Sequence, residues 1–427
     1  MAPLPLRVLT TLPNGLRIAT TEMPHMASVS IGLWVGVGGR HEPTRLNGVS
    51  HFLEHLLFKG TRHRTAAEIS QAVEGIGGYL NAFTDEEHTC FYARAQAERL
   101  PELVEVLLDM YLGSLLDPTE IRRERGVIRE EISMYLDQPG EHVQDLLNAA
   151  QFGEHPLGRP VIGTEQTVTQ MRRADIVGYL NTRYVTGSTV IAAAGNLRHA
   201  DLLRLVQGHA SKFRSGIQPT FVPAPPVGPA PRVKLCQKAT EQTHASLAIR
   251  TVARTDERRF TLRLLNVVLG ENMSSRLFQV IREEHGLAYN IHSATTFWAD
   301  AGDIVISAGL EHDELEPALK LILKELRRLT ERPVGRAEFG RARDYILGQL
   351  DLSLEGTENQ MMALGEQVIG FGTPLNPENI RQALRAVTPR QIQACARDFF
   401  RPERLSFAAI GPSADSVRLE KMLIKSR

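Results

Sequence analysis

The stretch SGIQPTFVPAPPVGPAPR, Ser215 to Arg232, carries six prolines in eighteen residues. Proline fixes φ and has no N–H to donate, so the stretch excludes a helix interior or a central strand and reads as a stiff, extended connection. It divides the 427-residue chain almost in half.

The two halves end alike. From Phe152 the first runs FGEHPLGRPVIGTEQTVTQMRRADIVGYLNTRYVTGSTVIAAAGN, and from Phe371 the second runs FGTPLNPENIRQALRAVTPRQIQACARDFFRPERLSFAAIGP. Phe-Gly, Pro-Leu, an Ile, Val-Thr, a helical stretch closing on an aromatic and a strand closing on Gly recur in the same order, which marks an internal duplication. Each half opens on β-rich material: Gly15 to Thr21 and Ala27 to Val37, then Arg232 to Leu235 and Ala245 to Val252. Ala66 to Val73, Leu100 to Leu115, Glu120 to Leu136 and Leu315 to Leu329 repeat apolar residues at helical spacing. The expected fold class is α+β: two homologous αβ domains, 1–214 and 233–427, joined by the proline-rich linker 215–232.

Composition narrows the function. Lys plus Arg and Asp plus Glu both number 49, so there is no basic footprint for nucleic acid or an anionic membrane, and neither is expected as a partner. No apolar run approaches the 18 or so residues of a membrane span, and MAPLPLRVLTTLPNGLRI lacks a basic head followed by an apolar core. Cys90, Cys236 and Cys395 show no CxxC or Cys/His spacing, so they read as small apolar residues rather than a disulfide framework or thiolate site.

The chemistry concentrates in SHFLEHLLF, Ser50 to Phe58. Leu46 to Lys59 reads as a helix with Gly60 at its C-terminal cap. His51 and His55 then stand i and i+4, with Glu54 i+3 from His51, and apolar side chains cover much of the remaining surface. Burying such polar groups unpartnered costs about 1–3 kcal/mol each, and a divalent metal is the natural compensator. Two imidazoles one turn apart chelate a tetrahedral Zn2+, and His-x-x-Glu-His is the inverzincin order.

A catalytic zinc needs a third protein ligand. In TEIRRERGVIREEISMYL, Thr119 to Leu136, the apolar stripe through Ile121, Ile128, Ile132 and Tyr135 also contains Glu124 and Glu131, whereas Glu130 points away. Ligation by one acid and a hydrogen bond from a ligating imidazole to the other would satisfy both. The duplication provides a control. No histidine occurs between His244 and His285, and aligning Glu120-Ile121 with Glu338-Phe339 puts Ala342 and Gln349 opposite Glu124 and Glu131. Loss as a set is what one metal site in one half predicts.

LPNGLRIAT, GVSHFLEHLLFKGT, GGYLNAFTDEEHTCFYA, ERGVIREEI and SRLFQVIREEHGLAYNI together resemble the pitrilysin family of zinc metallopeptidases. The likeness is to its short-chain branch, which holds the mitochondrial processing peptidase and bacterial relatives, and it covers nearly the whole length. It implies one zinc per chain, held by His51, His55 and Glu131, with Glu54 as general base and Glu124 as the acid behind a ligating imidazole. It also implies substrate binding by Arg282 and Tyr289, and by Asn81 and Ala82 on an edge strand that pairs with an extended peptide. Gly286 interrupts the stretch between Arg282 and Tyr289, so the two share a helix face only if helix continues through it. The implied substrates are unfolded peptides or flexible presequences. The implied assembly is a homodimer, or a heterodimer with a homologous subunit, in a bacterial cytoplasm or, as a mature form, a mitochondrial matrix. A non-catalytic subunit of a processing complex is the rival reading. His88 reads as a surface strand residue, and His63, His142, His155 and His199 lack metal spacing.

Overall fold

The structure, a computed structural model, describes residues 6–412 and 415–425; the first five residues, part of the stretch read above for a leader, lie outside it. The chain forms two compact units, each discontinuous in sequence. The first contains the chain up to Ile132, Pro160–Val222 and Asp351–Asn376; the second contains Ser133–Arg159, Pro223–Leu350 and the chain from Pro377 onward.

The first unit is built on a six-stranded sheet of β1 (Leu6–Thr11), β2 (Arg17–Glu22), β3 (Ser28–Val35), β4 (Tyr79–Thr84), β5 (Thr89–Gln96) and β6 (Thr189–Gly195), in the order β1-β2-β6-β3-β5-β4. The second has a five-stranded sheet of β7 (Arg232–Gln237), β8 (Thr243–Arg250), β9 (Ala288–Phe297), β10 (Gly302–Leu310) and β11 (Leu405–Gly411), in the order β7-β11-β8-β10-β9. Without β1 the two orders are the same. Each sheet has one parallel pair in the same place, β2 with β6 and β7 with β11, and is otherwise antiparallel. The duplication read from the sequence is therefore one topology built twice, an α+β fold.

Four helices carry the argument: α1 (Val49–Leu57), α2 (Pro118–Leu136), α3 (Pro139–Phe152) and α4 (Thr357–Phe371). On one face of the first sheet, Ile31, Leu33, Phe91 and Ile191 pack with Phe52, Leu53 and Leu56 of α1 in the main core. The other face holds Trp34, Val190 and Ala192 against Met361, Leu364 and Val368 of α4. Helix α4 lies so close that a Cβ on Gly365 would stand 2.2 Å from the Trp34 ring, and one on Gly32 would stand 2.5 Å from Met361 Sδ. The second sheet is covered on its corresponding face by α3: Val143 and Leu147 pack on Ala248, Ala408 and Ile410. Gln144 bonds Ser246 and Ser307, and Gln151 bonds Asp303.

The expected cut at 215–232 thus separates the strands of the two sheets but not all the helices. α3 comes from the first half and sits in the second unit, and α4 does the reverse. Covering the second apolar face of each sheet is the physical reason. Among the described residues no helix is long and apolar enough to cross a membrane. Cys90 and Cys395 are buried, Cys236 is half-buried, and all three are free.

Candidate metal centre

Helix α1 is shorter than the expected Leu46 to Lys59. Gly48 is its N-cap at φ +92°, a left-handed conformation that cannot continue a helix, so regular turns begin at Val49 and close at Phe58. Phe52, Leu53, Leu56 and Leu57 are buried, which leaves His51, Glu54 and His55 on the half-open arc. From α2, Ile121, Ile128 and Ile132 enter the core, Glu124 is buried beside them, Glu130 is exposed, and the Glu131 side chain keeps 45% of its surface.

The two helices bring the expected donors together. His51 Nε2 lies 3.7 Å from Glu131 Oε1, His55 Nε2 lies 3.4 Å from Glu131 Oε2, and one donor atom from each of the three residues falls within 4.8 Å of the others. This is the one such group of His, Cys, Asp or Glu among the described residues. A tetrahedral zinc with bonds of about 2.0–2.2 Å holds its donors about 3.3–3.6 Å apart, so a modest closure of the side chains would bring the set to zinc geometry.

Glu124 supports the group from behind. Its Oε2 faces His55 Nδ1 at 3.1 Å, and its Oε1 pairs with Lys59 Nζ at 3.0 Å. With His55 Nδ1 turned to Glu124, the lone pair of Nε2 confronts the Glu131 carboxylate, an arrangement that requires a proton or a cation between them. Burial pulls the His51 imidazole down to about 4, with His55 beside it adding to the effect. Burial also opposes protonation of His55, but hydrogen bonds to Glu131 and Glu124 outweigh it and raise that ring. The His55 hydrogen bond holds Glu131 below its ordinary value. His51 Nδ1 is buried without a hydrogen-bond partner. Two imidazoles and a carboxylate converging in this way fit a zinc ion.

Glu54 projects from the same arc without joining the triad. Thr84 Oγ1, at the end of β4, donates to its Oε2 at 2.6 Å. Burial pushes the Glu54 carboxyl up from its ordinary value, and the Thr84 bond offsets part of the rise. Strand β4 is an edge of its sheet, and Asn81 and Ala82 lie on it. Asn81 Oδ1 accepts from Ala82 N at 2.9 Å.

Arg282 and Tyr289 belong to the second unit, the first on the helical segment Phe278–Glu284 and the second on β9. Gly286, at φ +64°, turns the chain between them. They share no helix face, yet the guanidinium stands 5.2 Å from the centre of the Tyr289 ring, which is 79% exposed. His88 departs from the sequence reading: it is buried at the β4–β5 turn, edge-on to Trp34, with its backbone N–H and ring both directed to Asp85.

Residues 17–165 match the family model described as insulinase (peptidase family M16), and residues 170–346 match that of the peptidase M16 inactive domain. An uncharacterized zinc protease of Streptomyces coelicolor is 40% identical over 412 residues, covering 95% of this chain and 90% of the relative. The chain belongs to peptidase family M16. Its pitrilysin-type, short-chain character, read from the motifs, agrees with this match. Another M16 relative, the uncharacterized zinc protease YmxG of Bacillus subtilis, is 35% identical and covers 95% of this chain and 97% of its own. A protease from Helicobacter pylori shares the fold at a TM-score of 0.91 and 20% identity, covering 96% of this chain and all of its own. The triad lies within the first M16 match, with His51 and His55 on α1 and Glu131 on α2.

Sequence reasoning missed Lys59, Thr84 and Glu42. Lys59 carried a signal, standing one turn beyond His55 on the arc that faces Glu124. Thr84, which donates to Glu54, and Glu42, which accepts from Ser50 N at 2.8 Å, reach α1 from outside it and carried none.

Proposed function

We propose that this chain is a zinc-dependent endopeptidase that hydrolyses unfolded peptides or presequence-like segments, with one zinc ion held by His51, His55 and Glu131. The observation that carries the reading is the meeting of those three side chains beside Glu54, a carboxylate outside the triad. When bound, zinc supplies Lewis-acid chemistry and lowers the pKa of water towards about 7.

The chain's own residues do the rest. Thr84 occupies Glu54 Oε2, so Oε1 takes the proton from the attacking water and returns it to the leaving amine. Burial strengthens Glu54 as a base by raising its pKa. Glu124 fixes the His55 ring, and Lys59 balances the charge of Glu124. The open edge of β4 offers backbone groups to an extended peptide, which folded proteins do not present. There the incoming strand displaces Asn81 Oδ1 from Ala82 N. Arg282 and Tyr289 serve as donors to substrate and to the developing oxyanion, on this chain's centre or on that of a second copy. The chain works as a homodimer or with a homologous subunit, and a bacterial cytoplasm as its compartment is in keeping with the bacterial relatives.

The test is cleavage of a quenched, unstructured peptide by purified protein, abolished by a chelator and restored by stoichiometric zinc. Zinc retained without turnover would make the chain a peptide-binding or structural subunit instead.

A further inference from the structure

Helix α1 has nine residues, and the proposed ligands occupy its third and seventh positions. Each residue turns a helix by about 100°, so a slip of one position would swing both imidazoles away from Glu131. Something must fix its start. The residue at the N-cap is Gly48, which has no side chain to accept the free N–H groups of the first turn. It has no room for one either, because a Cβ there would lie 2.6 Å from the Ile162 carbonyl oxygen and 2.9 Å from Gly163.

The missing cap arrives from six residues upstream. Glu42, 3% exposed, accepts from Gly48 N at 2.7 Å and from Asn47 Nδ2 at 3.2 Å through Oε2, and from Ser50 N at 2.8 Å through Oε1. Ser50 immediately precedes His51. Asn47 Nδ2 also reaches Pro160 O at 3.0 Å, and Ser50 Oγ meets Tyr179 OH at 3.1 Å. The segment carrying Glu42 is itself anchored. Gly39 N and Arg40 N donate to Asp85 O and Glu86 O, at 3.1 and 2.7 Å, and the buried Arg40 pairs with Glu87 at 2.7 Å. Those acceptors form the β4–β5 turn, next to the Thr84 that holds Glu54. One short segment therefore ties the helix of the proposed ligands to the strand that orients the proposed base.

We propose that Glu42 is a positioning residue for the metal centre: as the cap Gly48 cannot supply, it sets the register of α1 so that His51 and His55 face Glu131 and Glu54 faces Thr84. This rests on the zinc reading above. A carboxylate suits the place, because it accepts from several N–H groups at once at the positive end of a helix.

The experiment compares wild type with Glu42→Gln, Glu42→Ala and Gly365→Ala, the last a destabilising control on the opposite face of the sheet. Zinc affinity is measured by competition with a chromophoric chelator at 25 °C, well below each melting midpoint. The visible spectrum of the cobalt(II) form, kcat and KM are recorded beside it. The expected result is zinc binding weaker by about 10–100-fold, an altered cobalt spectrum and a lower kcat with KM within about twofold for both Glu42 variants. Gly365→Ala should lose melting temperature but keep its zinc affinity, spectrum and kcat. Should Glu42→Ala fail to fold, Glu42→Gln, which keeps the shape and one acceptor, decides. If the Glu42 variants behave like the control, losing only melting temperature, the role is overturned. A wild type that binds no zinc would overturn the metal reading itself and this role with it.

Discussion

At the scale of single residues, the function rests on environments more than identities. Glu124 and Glu131 are both acids on one helix, yet Glu124 is buried between His55 and Lys59 while Glu131 stands half open beside both imidazoles. Replacing Glu124 with Gln removes the charge that orients His55 and balances Lys59. Zinc affinity should fall by about 10–100-fold while the folded protein persists, and chelator competition would show it. A second residue gives a pH signature away from the centre. Burial pushes the Asp303 carboxyl from its ordinary 3.8 up to about 6, against the hydrogen bond from Gln151 and the charge of Arg250. Because the folded value is the higher one, the folded state keeps a proton that the unfolded chain has released. Stability therefore falls as pH rises from about 4 to about 6 and is level above, a loss on the order of 3 kcal/mol. Asp303→Asn should erase that slope, so its melting midpoint should gain on wild type between pH 4 and pH 7. A difference independent of pH would contradict the assignment.

His51, Glu54 and His55 were legible because helical periodicity alone puts them on one arc, and Glu131 because an acid on an apolar stripe demands a partner. Thr84, Glu42 and buried His88 were not legible. Each owes its environment to a contact between elements that no local pattern encodes.

At the scale of elements, close approach decides more than propensity. The apolar spacing of Leu46 to Lys59 suggested a longer helix, but Gly48 at φ +92° delays the start to Val49. Strand β4 was readable as an edge only through resemblance, since alternation does not say which neighbour a strand lacks. α4 is the clearest case. Its periodicity shows a buried face but not the sheet that buries it, and the answer lies in Gly365 against Trp34. Gly365→Leu would drive a side chain into that ring, so overpacking should destabilise the first unit by about 1–3 kcal/mol or more. Denaturant unfolding followed by fluorescence in a Trp298→Phe background, where Trp34 is the remaining tryptophan, measures it; a neutral effect would mean that α4 is packed elsewhere.

At the scale of the molecule, duplication was legible because each half keeps the order of its motifs, and the two sheets repeat one strand order. The exchange of α3 and α4 was not, because both helices lie outside the repeated tails and look like ordinary amphipathic segments. It carries a consequence for cutting the chain. Residues 1–222 alone would lack Met361, Leu364 and Val368, all fully buried, each contributing about 1.5–3 kcal/mol. That fragment should therefore unfold without a cooperative transition in calorimetry, whereas adding residues 223–427 in trans should restore one. A fragment that melted like the whole protein would contradict the exchanged architecture.

The central claim is that one zinc centre in the first half performs hydrolysis with Glu54 as its base. It is tested most directly by metal content and peptide turnover measured side by side for wild type and Glu54→Gln. Both proteins should hold about one zinc per chain, with turnover lower by about 100- to 10,000-fold in the variant. Equal turnover in the two, or a wild type without zinc that still cleaves, would contradict it.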